Sequence, residues 1–236
     1  MSDSPAAVQE HHGLHNPGLL HHFATEEQQR DASNLGMWIF LATEIMFFGG
    51  LFCAYLIYRR WYFGDFGAAS KSIDATLGAT NTAVLICSSL TVVLAIWAAQ
   101  TARRGLLLLM LVLTMIFGVA FLGIKGVEYK QKFDEHHVPG STFSFDRVPI
   151  PGHLDQYANP QHAQIFFALY FIMTGLHALH MIIGLGIFTW LLIMAWRGYF
   201  TPHYHTPLEI GGLYWHFVDI VWIYLFPLLY LIDRHP

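Results

Sequence analysis

Five apolar runs, each long enough to cross a bilayer, constrain this chain more than any other feature. They are roughly Leu35–Tyr58, Ala79–Ala99, Gly105–Ile124, Ala163–Trp196 and Gly211–Ile232. A helix needs about 20 residues, at a rise of about 1.5 Å each, to span the hydrocarbon core. Lipid offers the backbone no hydrogen bonds, so such runs close their amides internally as helices. The predicted fold is all-α, a polytopic membrane helix bundle with five transmembrane helices. The third run is expected to continue as helix to Tyr129, and the fourth is long enough to tilt or project past the bilayer. Of the 236 residues, 55% are hydrophobic and only 12% charged, well under the roughly 25% charged share of soluble domains.

Residues 1–33 read as a polar, His-rich N-terminal arm and residues 34–236 as the membrane domain. The arm carries His11, His12, His15, His21 and His22 at irregular spacing, a pattern read as a solvated tail rather than a metal site. It lacks the basic start and short apolar core of a signal peptide, so the first span is expected to remain in the mature protein. The short Arg103-Arg104 turn makes spans two and three an antiparallel hairpin. The segment Lys130–His162 holds Pro139, Gly140, Pro149, Pro151, Gly152 and Pro160, and is expected to be irregular and outside the membrane. Net charge is −4 with His neutral, without a basic stripe, which argues against nucleic-acid binding. Cys53 and Cys87 both fall within spans and imply no disulfide. With the N-terminus inside, inner segments hold four cations and outer ones seven. Three of the seven lie in the long loop, where the positive-inside rule weakens, so charge alone does not fix the orientation.

Ionisable residues inside the spans are the candidates for function, because a bilayer makes them expensive. Glu44 lies near the middle of span one. An ionised acid there costs at least about 2.5–3.5 kcal/mol on insertion scales, so a protonated, hydrogen-bonded acid is the cheaper state. It reads either as a proton-carrying group or as a packing contact to a neighbouring helix. His177 and His180 are one turn apart, between Gly175 and Gly184. Two His on one helix can serve a metal or haem, but a metal site needs three or four converging ligands, and hydrogen-bonded packing is the preferred reading. In span five, Glu209, His216 and Asp219 follow spacings of seven and three, beside an aromatic stripe of Trp215 and Trp222. His216 and Asp219 are placed to pair with each other, or to meet a neighbouring helix or lipid headgroup. Lys125 and Glu128 form an i,i+3 pair, read as structural and near the interface. Arg197, His203 and His205 follow span four, where they suit lipid phosphates or form an ordinary polar rim.

Several of these stretches resemble the subunit III family of haem–copper respiratory oxidases, in its shorter five-helix bacterial form. They are Phe40 to Tyr55 with Thr43-Glu44 and Phe47-Phe48-Gly49-Gly50, Leu77 to Leu85 with Asn81-Thr82, and Gly126-Val127-Glu128-Tyr129. Gly175 to Gly184 and Tyr214 to Trp222 follow, with His205 and Glu209 at matching offsets before His216. The family's Arg late in the fourth helix has no counterpart at Met194; Arg197 comes one turn later. The resemblance implies a core subunit without haem or copper of its own. Its partners, subunits I and II, hold those cofactors, reduce oxygen to water and pump protons. It also implies bound phospholipid in a cleft, a position beside the partner's proton-uptake route, and support of sustained turnover. The implied setting is the bacterial inner membrane, N-terminus cytoplasmic and C-terminus periplasmic, with membership of a larger respiratory supercomplex open. Quinol oxidase or an accessory role in nitric oxide reduction stands as a rival within the family. A small proton channel or transporter around Glu44 is the rival outside it, and would call for inverted repeats or interrupted helices, which the sequence lacks.

Overall fold

The computed structural model describes residues 25–140, 143–145, 148–150, 153–202 and 204–231. The five histidines of the N-terminal arm, and His203, lie outside the described residues. Six helices and one small strand pair follow in the order α1 (Glu26–Trp61), α2 (Phe63–Lys71), α3 (Ala75–Gln100), α4 (Arg104–Asp134), β1 (Pro149–Ile150), β2 (His153–Tyr157), α5 (Pro160–Arg197) and α6 (Thr206–Tyr230). Among the described residues, α1, α3, α4, α5 and α6 are long and apolar enough to cross a membrane.

Helices α1, α3 and α5 start where the sequence supplies a side-chain cap, whereas α4 and α6 have none. The Thr25 hydroxyl accepts from Gln28 N at 3.1 Å, Asp74 from Thr76 N at 2.8 Å and Asn159 from Gln161 N at 2.9 Å, satisfying amides the first turn leaves open. Pro160 stands in the first turn of α5, where its missing N–H costs nothing. Three helix ends close with the paired hydrogen bonds of a left-handed cap. Gly198 takes that conformation after α5 at φ 81°, as glycine readily does, but Ala102 after α3 and His136 after α4 adopt it at φ 55° and 56°.

Helices α1, α4 and α5 are longer than the sequence pattern implies. α1 begins at Glu26, so its first turns come from residues read as polar arm, and α4 runs past Tyr129 to Asp134. At 38 residues α5 is about 57 Å long, well beyond a hydrocarbon core of about 30 Å. The long loop is not wholly irregular: β1 and β2 pair antiparallel with Ile150 opposite His153. Helix α2 has no counterpart in the sequence reading. It seals the same end of the bundle, with Phe66 fully buried, Ser70 Oγ donating to the Leu229 carbonyl at 2.8 Å, and Asp65 holding both the Asn159 amide (2.9 Å) and His162 Nδ1 (2.6 Å).

The centre is aromatic. Phe121, Phe166, Phe167, Tyr170, Phe188, Trp215, Trp222 and Tyr230 are all fully buried. Glycines let α6 come close to its neighbours. A Cβ on Gly118 of α4 or Gly184 of α5 would stand 2.9 or 3.0 Å from the Trp215 ring. Helix α1 attaches differently. Along its membrane-length stretch only Leu41, Phe48 and Tyr55 are buried, a seam with a spacing of seven. Such a seam is the narrow contact stripe of one helix lying along others. Leu35, Trp38, Ile45 and Met46 of α1 face outward and are each more than half exposed.

Candidate functional site

Glu44 projects from α1 toward α5. Its Oε2 lies 3.2 Å from His180 Nε2, while His180 Nδ1 lies 2.8 Å from the Leu176 carbonyl one turn back on α5. A carbonyl only accepts, so Nδ1 carries a proton. The contact at Nε2 then holds one further proton, placed either on the acid or on the ring. Phe48 packs its ring edge-on against His180 at 5.3 Å, and the Tyr214 hydroxyl donates to the His180 carbonyl at 2.9 Å. The pair is mostly covered, at 20% side-chain exposure for Glu44 and 13% for His180.

A second polar cluster lies wholly inside the bundle. Lys125 and Glu128 on α4 form the expected i,i+3 pair, meeting at 3.0 Å with 5% and 1% side-chain exposure. Tyr170 of α5 and Tyr230 of α6 both donate to Glu128 Oε1, at 2.7 and 2.6 Å, and Lys125 Nζ lies 2.5 Å from the Tyr230 oxygen. The Lys125 ammonium also sits 4.9 Å from the Trp222 ring. Charge, phenols and ring together satisfy an ion pair that would otherwise be costly to bury. Neither tyrosine was singled out from sequence. Spacing along one helix carries no signal for groups that converge from three.

His177 and His180 do not act as a pair. His177 is buried between Phe121 and Trp222, at ring distances of 5.3 and 5.2 Å, and neither ring nitrogen has a hydrogen-bond partner among the described residues. The expected hydrogen-bonded packing is therefore absent at His177, because aromatic rings of α4 and α6 fill the space beside it. No group of three or more His, Cys, Asp or Glu converges among the described residues.

Nor do Glu209, His216 and Asp219 share one environment. Glu209 pairs with His205 at 3.1 Å near the start of α6. His216 Nδ1 takes Ser89 Oγ of α3 at 2.7 Å instead of pairing with Asp219. Asp219 is 3% exposed; among the described residues its oxygens make no hydrogen bond of strict geometry, and the Ser89 hydroxyl is the polar group that interacts with them. Ten residues of helix climb about 15 Å, enough to carry one face from one neighbouring helix to the next.

A cleft of about 600 Å³ opens where α1 stands away from the ends of α5 and α6. Met37, Ile187, Trp190 and Tyr214 form apolar wall, while Arg30, Ser33, His205 and Glu209 are polar. Of the three residues expected to meet headgroups, His205 lines this cleft, Arg197 is exposed at the end of α5 and does not line it, and His203 is not described. Arg30, assigned to the N-terminal arm by sequence, is the cation the cleft contains.

The sequence matches the profile of the family described as cytochrome c oxidase subunit III over residues 20–146 and 159–233. A probable cytochrome c oxidase subunit 3 of Nocardia farcinica is 30% identical over 96% of this chain and 95% of its own length. A probable quinol oxidase subunit 3 of Staphylococcus haemolyticus is 30% identical over 85% of this chain and 89% of its own. The cytochrome c oxidase subunit 3 of Bacillus subtilis is 30% identical over 84% of each. With five membrane-length helices and this match along nearly its whole length, the chain belongs to the cytochrome c oxidase subunit III family of the haem–copper oxidases.

Proposed function

We propose that this chain is the non-redox core subunit III of a bacterial cytochrome c oxidase, and that it keeps the catalytic subunit supplied with protons through many turnovers. Reducing oxygen to water consumes protons as well as electrons. Haem and copper belong to subunits I and II in this reading, and the contribution of subunit III is protonic and structural. The observation that carries it is the Glu44–His180 bridge. It joins an acid and a base through one proton, on a helix whose outer face is apolar and open to a partner. The α1–α5–α6 cleft supports a structural phospholipid, its acyl chains along Met37 and Trp190 and its headgroup near Arg30 and His205. The chain sits in the cytoplasmic membrane with its N-terminus inside and its C-terminus in the periplasm.

Purifying the tagged chain in mild detergent tests this. The expected result is a complex containing a haem-bearing subunit I and a subunit II with a copper-binding domain. A chain that purifies alone, or with partners that hold no haem, contradicts it. The Staphylococcus haemolyticus relative favours a second reading, subunit III of a quinol oxidase. That reading predicts a subunit II without copper, and oxygen uptake driven by quinol rather than by cytochrome c.

A further inference from the structure

Tyr214 of α6 touches both helices that carry the Glu44–His180 pair. Its ring stacks on Phe40 of α1, centroids 6.1 Å apart, one turn before Glu44. Its Cε1 lies against the α5 backbone at Gly184, where a Cβ would stand 3.2 Å away. Its hydroxyl donates to the His180 carbonyl at 2.9 Å. The ring is therefore wedged between α1 and α5 and pinned at its tip. The same residue forms part of the wall of the α1–α5–α6 cleft, beside Met37 of α1 and Ile187 of α5.

The pair is sensitive to where α1 stands. Glu44 Oε2 and His180 Nε2 are 3.2 Å apart, at the long end of the hydrogen-bond range, so a few tenths of an ångström of added separation breaks the contact. Helix α1 is held along this stretch by the narrow seam of Leu41, Phe48 and Tyr55. Next to Leu41, the Tyr214 wedge sets how far Phe40 stands from α5. An acyl chain in the cleft packs on Met37, Ile187 and Tyr214, and so bears on α1, α5 and the wedge together. Close-packed interiors have low compressibility and pass such displacements on.

We propose that Tyr214 is a positioning residue that ties the Glu44–His180 contact to the presence of phospholipid in the cleft. The inference rests on the reading that this cleft holds lipid. Tyr214 moves no proton itself, because its hydroxyl proton is engaged by a backbone carbonyl. A ligand shifts a contact only through interactions that differ between its two states. Here the differing interaction is the acyl chain against Met37 and Tyr214. With the cleft filled, α1 is supported against the wedge and the carboxyl meets Nε2. With the cleft emptied, that support is gone and the contact lengthens. The lipid and the acid then act as one unit.

Infrared spectra of the whole complex test this, reading the Glu44 signal as the band missing in Glu44→Gln. Phospholipid is stripped by detergent washing, counted by mass spectrometry, and returned as phosphatidylethanolamine–phosphatidylglycerol vesicles. The expected wild-type band shifts on stripping and returns with lipid. Arg30→Ala alters the cleft about 21 Å from Glu44 along α1, too far for direct contact, and should shift the band as stripping does. In Tyr214→Leu, which has neither ring nor hydroxyl, the band should be displaced and indifferent to lipid. Tyr214→Phe is the milder change and should displace the band in the lipid-filled complex, so it decides the matter if Tyr214→Leu is absent from the membrane. A wild-type band unmoved in a stripped complex overturns the inference, as does a lipid response of wild-type size in Tyr214→Leu. An unmoved band in Arg30→Ala, or a wild-type band in lipid-filled Tyr214→Phe, also overturns it. A complex that holds no phospholipid to strip overturns the lipid reading and this inference with it. That outcome is distinct from an unmoved band after lipid has been removed.

Discussion

His180 spans the gap between its own helix and Glu44 of α1, with Nδ1 fixed on the Leu176 carbonyl and Nε2 turned to the carboxyl at 3.2 Å. The pair therefore carries one shared proton and no net charge. In apolar surroundings, a carboxylic acid donating to a neutral imidazole costs less than a carboxylate facing an imidazolium. Infrared spectra of wild type against Glu44→Gln should show one protonated-carboxyl band that the variant lacks. A carboxylate band lost in its place would assign the proton to His180.

The same contact predicts how α1 responds to mutation. Glu44→Gln keeps a donor for Nε2 and should stay close to wild type in thermal unfolding. Glu44→Ala leaves the ring nitrogen unpaired and should cost about 1–3 kcal/mol. A double-mutant cycle with His180→Phe should return a coupling of about 0.6–1.7 kcal/mol. Additive losses would mean that the contact contributes nothing.

Much of this architecture is legible in the chain because apolar length has one solution in lipid. The five long helices fall where runs of Leu, Ile, Val and Phe require them. Helix α2 is not legible, since Phe63–Lys71 is short and holds Gly64 and Gly67. The acid at Glu44 stands out from sequence, yet its partner is 136 positions away, and no periodicity connects residues on separate helices. His216 and Asp219 show the reverse failure. Their i,i+3 spacing permits a pair, but Ser89 of α3 takes His216, and local geometry does not reveal such a competitor.

The buried cluster at Lys125 should be cooperative. Glu128→Leu strands a lysine that is 4% exposed and should destabilise the protein by about 3–5 kcal/mol. Adding Lys125→Met should recover part of that loss, because the uncompensated charge is gone. Thermal unfolding in detergent reads both variants, and a double variant no more stable than Glu128→Leu would show that the charge is not the source of the cost.

Backbone and packing make two opposite predictions. Ala102 holds a left-handed conformation at φ 55° in the α3–α4 turn, so Ala102→Gly should stabilise the hairpin by up to about 1 kcal/mol. Gly184→Ala should do the reverse, by about 1–3 kcal/mol, since its Cβ would lie 3.0 Å from the Trp215 ring. Both shifts are measurable as changes in melting temperature.

The cleft should hold lipid through Arg30 and His205 more than through Arg197, which stands outside its lining. Mass spectrometry of the purified complex should show less retained phospholipid in Arg30→Ala than in Arg197→Ala. Equal retention in both variants would remove the assigned headgroup site.

Oxygen uptake followed over many turnovers, in complexes with and without this chain and with Glu44→Ala, tests the protonic role most directly. The prediction is unchanged haem content, an initial rate lowered only modestly, and activity that decays markedly faster when the chain is absent or altered. Loss of haem in proportion to activity, or no activity from the first turnover, would contradict it and place this chain at the catalytic centre.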